Sequence, residues 1–171
     1  MVMHITYLDK ISSTNDYVVE IVKKGFSKQG IVLCDKQFKG RGRRGKVWQS
    51  LEGNIFCSIY KPVKSYSKIQ LAQFSSLDLV KKYLVKNGIS KKSIIIKEPN
   101  DILIDNKKVC GILIESVKIH GKVYLIAGIG LNLFKYPKLK EYKTTYLKKY
   151  TNKKLSKIEF INYLKEKIKY F

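Results

Sequence analysis

The sequence predicts an α+β domain: a mostly antiparallel mixed sheet flanked by helices. Three observations lead there. Short apolar β-type segments recur along the chain, four of them in succession between residues 93 and 133. Two longer segments, 67–88 and 156–170, carry apolar residues at helical spacing instead, and a third helix fits 13–25. The chain has 171 residues, 44% hydrophobic and 12% aromatic, which suits one domain with a buried core and excludes disorder.

The elements follow in order. "HITYL" (4–8) reads as a short strand. The helix over 13–25 opens on a Ser/Thr cap and stops at Gly25. "GIVLCDKQ" (30–37) and "NIFCSIYK" (54–61) read as strands around a polar, glycine-punctuated loop at 38–53. Over 67–88, Ile69, Ala72, Leu77, Val80 and Leu84 share a helical face that ends at Gly88. The four β-type segments are "SIIIKEP", "DILI", "KKVCGILIESV" and "KVYLIAGIGLNL". The last helix begins with Ser156 and Glu159 in capping-box spacing. No repeat, low-complexity tract or linker divides the chain, so residues 1–171 read as a single domain.

The net charge is +22, from 35 basic and 13 acidic residues. Lysines are spread along the whole chain with many Ile and Tyr, and only Ala72 and Ala127 represent alanine. That skew reads as a compositional bias with much of the charge on a solvated surface, which still steers anions inward. Cys34, Cys57 and Cys110 form no CxxC and each lies in a strand-like stretch, as small core residues do in a reducing cytosol. His4 and His120 make no ligand pattern. No apolar run reaches membrane-spanning length and no secretory layout opens the chain, so the expectation is cytoplasmic, without a membrane partner.

All three arginines, Arg41, Arg43 and Arg44, fall inside "KGRGRRGKVW" (39–48). A guanidinium is planar, permanently charged and grips two oxygens at once, which an ammonium does less well. Gly40, Gly42 and Gly45 let backbone N–H groups approach an anion. An RGG-like nucleic-acid arm is the alternative, but such arms are low-complexity tails and this loop joins two strands. Trp48 at its end reads either as core or as a cover over a ligand.

In "KEPNDILIDNKKVCGILIE" (97–115), "DN" at 105–106 makes a two-residue hairpin turn. With those two central, Ile104 faces Lys107, Leu103 faces Lys108, and Asp101 lies opposite Cys110, so a carboxylate and a lysine meet on neighbouring strands. Lys108 reads as a functional ammonium running into an apolar wall, or as part of a charged turn. In "AGIGLN" (127–132), Gly128, Gly130 and Asn132 share one strand face and Ile129 and Leu131 the other. A face without side chains lets something lie flat on the backbone, unless the glycines mark a bulge. Together these stretches describe a site for an anion with an elongated, partly apolar body.

From residue 3 to 170 the chain resembles the catalytic domain of the biotin–protein ligases, a class II biotin/lipoate ligase-like fold. The resemblance rests on "STN" (13–15), "GRGRRGKVW" (40–48), "K-PND" (97, 99–101), "KKVCGILIE" (107–115), "GIGLN" (128–132) and, more weakly, "TTYL" (144–147). It implies ATP-dependent biotinylation of a lysine on the biotin carboxyl carrier domain of acetyl-CoA carboxylase, through biotinyl-5′-AMP. It also implies ATP with Mg²⁺, biotin as substrate, and a homodimer. By position, Ser13, Thr14, Asn15, Gln37, Gly40 and Arg41 would bind the biotin head. Gly111, Gly128 and Gly130 would wall the valeryl chain. Arg43 and Lys108 would be catalytic at the carboxylate and α-phosphate. Arg44, Trp48, Lys97, Asn100, Asp101 and Asn132 would serve the nucleotide, with Asp101 on Mg²⁺. The family's usual tryptophan before PND is Glu98 here. Neither the N-terminal DNA-binding module nor the C-terminal SH3-like barrel of longer members is expected in this chain, and hence no DNA partner. The rivals are a lipoate ligase, a lipoyl or octanoyl transferase with Cys110 as nucleophile, a nucleic-acid module, and an inactive fold member that only binds biotin or the carrier, as Glu98 suggests.

Overall fold

A computed structural model describes residues 4–26 and 29–168. Seven strands form one sheet in the order β1-β2-β3-β7-β6-β5-β4. They are β1 (His4–Ile11), β2 (Gly30–Gln37), β3 (Ile55–Val63), β4 (Ile94–Lys97), β5 (Asp101–Ile104), β6 (Lys107–Ile119) and β7 (Lys122–Leu131). Only the β1–β2 pair is parallel; every other pair is antiparallel, so the sheet is mixed and mostly antiparallel. Helices α1 (Thr14–Lys23), α2 (Ile69–Lys86) and α3 (Lys157–Lys167) flank it. The last two residues of the expected final helix, like residue 3, lie outside the described residues.

The helices form where their caps and faces predict. The Ser156 hydroxyl accepts from the Glu159 N–H at 3.0 Å, closing the first turn of α3. Ser13 caps α1 by accepting from the Asp16 N–H at 3.4 Å. On α2, Ala72, Leu77, Val80 and Leu84 are buried, and Ile69 packs at the edge of the same core.

Alternation along the strands separates the two faces of the sheet. One face carries Ile59, Leu125, Ala127 and Ile129 under α2 and α3, with Tyr83 edge-on to Phe160 at 4.7 Å. The opposite face carries Val32, Tyr60, Tyr124 and Ile126 under α1, through Val18, Ile21 and Val22. α1 covers only part of that face. Beyond its N-terminus the same alternation runs past Ser58 to Gly128, Gly130 and Gly111, three glycines that leave a gap between the side chains of Phe56 and Leu113 on this face.

The expected hairpin turn is present, with Asp105 at φ 47° and Asn106 at φ 61° and Ile104 paired with Lys107. The expected register holds as far as Leu103 opposite Lys108 and then shifts. Asp101 pairs with Gly111, not Cys110, because a bulge inserts Val109 as an extra residue on β6. Val109 and Cys110 both enter the core under α2, so the strand loses one alternation. Lys108 and Gly111 therefore emerge on the same face, the one with the glycine gap. The bulge is what aims the lysine.

Candidate functional site

Residues 40–48 fold as a miniature hairpin. The Trp48 N–H donates to the Gly40 carbonyl at 2.9 Å, Arg41 bridges Val47, and the Gly42 N–H donates to the Lys46 carbonyl at 2.7 Å. The tip is Arg43–Gly45, where Arg44 and Gly45 take φ of 54° and 73°. The hairpin leans over the glycine gap and lays Trp48 on the sheet. Gly111 and Gly130 are direct cross-strand partners, and a Cβ on Gly130 would lie 2.5 Å from Trp48 Cζ2. The glycine slot predicted from "AGIGLN" thus receives the indole. Gly128 receives Asn15 instead, whose Oδ1 lies 2.6 Å from where its Cβ would be.

A cavity of about 450 Å³ lies between hairpin and sheet. Its lining includes Ser13, Thr14, Asn15, Gln37, Arg41, Arg43, Arg44, Trp48, Lys97, Asn100, Asp101, Lys108, Gly111, Gly128 and Gly130. Of the expected site residues, two stand off this lining. Gly40 closes the base of the hairpin. Asn132 is buried just past β7, where its Nδ2 donates to the Thr145 carbonyl at 3.0 Å and ties down the 144–147 segment.

One end of the cavity is a polar floor built from the first turn of α1. Ser13, Thr14 and Asn15 are buried. Gln37 Oε1 accepts from the Thr14 N–H at 2.8 Å, a bond that spends none of the Gln37 amide N–H groups. Ser58 lies within 2.7 Å of Thr14 Oγ1 and donates to Asn15 Oδ1 at 2.6 Å. Asn15 Nδ2 donates to Glu115 Oε2 at 2.6 Å. Buried donors and acceptors in this density suit a compact polar head group.

The other end is charged. Lys108 Nζ lies 2.8 Å from Asp101 Oδ1, and its side chain is only 14% exposed. The ammonium also sits 5.4 Å from the Trp48 ring and 5.2 Å from the Tyr142 ring, in cation–π range of both. Segment 143–145 runs beside the start of β6 as a short parallel rung. The Lys108 N–H donates to the Lys143 carbonyl, and the Lys108 carbonyl accepts from the Thr145 N–H, both at 2.9 Å. Lys97 pairs with Asp101 in the β4–β5 register, and Lys143 joins the lining. Glu98 and Asp101 are the carboxylates there, against seven basic residues counting Lys46 with the six already named. The local field favours an anion.

Several contributors carry no sequence signal that singles them out. Tyr142 and Lys143 lie in an irregular segment without periodicity. Ser58 stands in a strand that otherwise reads as apolar. Glu115 and Asp16 matter because they hold Arg41, which donates to Glu115 Oε1 at 2.8 Å and to Asp16 Oδ1 at 2.5 Å. Hydrogen bonding to Glu115 raises the guanidinium above its ordinary pKa. Asn54 is buried, and its Oδ1 accepts the N–H groups of Leu133, Phe134 and Lys135 at 3.0–3.1 Å, shaping the turn after β7. Cys110 is buried in the core on the far face and burial pushes its thiol up, so it is neither exposed nor activated as a nucleophile.

Residues 7–132 match the model of the biotin/lipoate A/B protein ligase family. The bifunctional ligase/repressor BirA of Bacillus subtilis is 36% identical over 141 residues, covering 80% of this chain and 42% of that protein. The biotin–[acetyl-CoA-carboxylase] ligase of Paracoccus denitrificans is 35% identical over 129 residues, covering 74% of this chain and 53% of that one. The chain thus spans about half or less of the length of these relatives. The biotin protein ligase of Aquifex aeolicus, solved in complex with biotin and ATP, superposes with a TM-score of 0.75 at 27% identity, covering 98% of this chain and 69% of that chain. By family model, sequence and fold together, the chain belongs to the biotin/lipoate A/B protein ligase family.

Proposed function

We propose that this domain activates biotin with ATP and transfers it to a lysine of a biotin carboxyl carrier domain, that of acetyl-CoA carboxylase. The observation that carries the reading is the bulged Lys108 beside Asp101, set between a polar head pocket and the arginine hairpin. In the first step an oxygen of the biotin carboxylate forms a bond to the α-phosphorus of ATP as the bond to pyrophosphate breaks. In the second, the carrier's neutral lysine amine attacks the acyl carbon, an amide forms, AMP leaves, and the amine loses a proton.

The first step brings a carboxylate against a polyphosphate, at a cost of about 4 kcal/mol per unit pair at 4 Å and an effective dielectric near 20. Lys108 and Arg43 offset that charge from fixed positions, and most where it builds up at the α-phosphate. Ser13, Thr14 and Gln37 offer both donors and acceptors to the ureido ring. Trp48, lying on Gly111 and Gly130, covers the adenylate and excludes water. Its indole N–H is buried and has no protein acceptor in the described structure. The donor set suits Mg²⁺ bound mainly through phosphates, with Asp101 supplying the carboxylate. When bound, the metal would neutralise phosphate charge.

ATP–pyrophosphate exchange tests the reading, with biotin, lipoate, octanoate or no acid. Exchange that depends on biotin alone is expected. Exchange with lipoate, or none with any acid from folded protein, overturns it.

A further inference from the structure

Arg41 differs from the other two arginines in what already holds it. Its Nη1 donates to Glu115 Oε1 at 2.8 Å; its Nη2 donates to Glu115 Oε2 at 3.1 Å and to Asp16 Oδ1 at 2.5 Å. Both terminal nitrogens are therefore engaged by carboxylates, and a ligand oxygen would have to compete with them. Arg43 and Arg44, at the exposed tip, have no carboxylate partner among the described residues. The remaining ionic tie of the hairpin is Lys46 to Glu141 at 3.1 Å, with both side chains largely exposed. A pair of that kind holds weakly. Bidentate pairing at Arg41 is the stronger fastening.

We propose that Arg41, Asp16 and Glu115 are positioning residues: an ion-pair anchor that roots the arginine hairpin in α1 and β6. The anchor acts in two directions. Toward the hairpin, it fixes residue 41 and hence its rung with Val47, the neighbour of Trp48, holding the indole on the glycine slot. Toward the floor, Glu115 Oε2 takes Asn15 Nδ2 and so turns Asn15 Oδ1 to Ser58. Asp16 meanwhile holds the first turn that Ser13 caps. One cluster thereby sets both the cover and the head pocket. The ligand consequences rest on the function proposed above; the anchor does not.

Trp48 is the single tryptophan, so it reports its own position. The test uses the intact chain and the shape-preserving variants Arg41→Lys and Glu115→Gln, separately and together. Acrylamide quenching of Trp48 fluorescence is measured without ligand, and biotin affinity by calorimetry. Both single variants are expected to raise quenching and to weaken biotin binding about tenfold, with the double variant no worse than the worse single. In biotin-dependent exchange, KM for biotin rises while kcat at saturation stays close to wild type. Arg43→Ala, at the tip, lowers kcat without raising quenching. Unchanged quenching in both singles, or losses that add in the double, overturns the anchor. Raised, non-additive quenching in a protein that binds no biotin upholds the anchor and refutes the proposed ligand.

Discussion

Gly130→Ala isolates the glycine slot. The added Cβ would lie 2.5 Å from Trp48 Cζ2 and 2.8 Å from Nε1, whereas ordinary contact begins near 3.4 Å. The ring must retreat by roughly an ångström, since β7 is held on both sides by β3 and β6. Gly130 has no positive φ, so alanine adds no backbone strain there. Overpacking of this order costs about 1–3 kcal/mol. The hairpin carrying the ring is easier to displace than the sheet, so the penalty falls on the covered state and not on folding. Thermal stability should hold nearly constant while nucleotide or adenylate affinity falls about 5- to 150-fold. Calorimetric titration and thermal unfolding of Gly130→Ala, Trp48→Ala and the double variant check this. In the Trp48→Ala background the extra methyl has no indole to meet, so the second substitution should cost little. Wild-type affinity in Gly130→Ala, or an equal loss in both backgrounds, refutes the reasoning.

Three further outcomes are expected. Lys108→Met removes the ammonium facing Asp101 and should cut biotin-dependent exchange about 10²- to 10³-fold, with the fold intact by circular dichroism. Asn54→Ala leaves three N–H groups without their buried acceptor and should destabilise by about 3 kcal/mol, read as a lower midpoint in urea. Stability should also fall in alkali. Burial pushes Tyr163 from 10.0 up to about 12 and Cys34 from 9.0 up to about 12. The folded chain keeps protons that the unfolded chain releases, so stability is full below about pH 9 and declines from there toward about 12. A melting temperature that stays flat across that window would contradict the assignment.

The amino-acid sequence by itself determined most of the architecture and the broad chemistry. Short apolar runs placed the strands, because strands covered on both faces of a sheet read as near-continuous apolar segments. Ser13, Ser156 and Gly25 marked helix ends, since helix termini leave backbone groups that only such residues satisfy locally. The concentration of arginine in 41–44 and the glycines at 128 and 130 marked the site, because each residue type departs from its surroundings. What only the tertiary structure decided is how these pieces face one another. Val109 looks like any apolar strand residue, yet as a bulge it moves Lys108 from the core side to the ligand side. Asp16, Ser58, Glu115 and Tyr142 converge from elements far apart in sequence. Their roles follow from register and close approach, which a one-dimensional pattern does not encode.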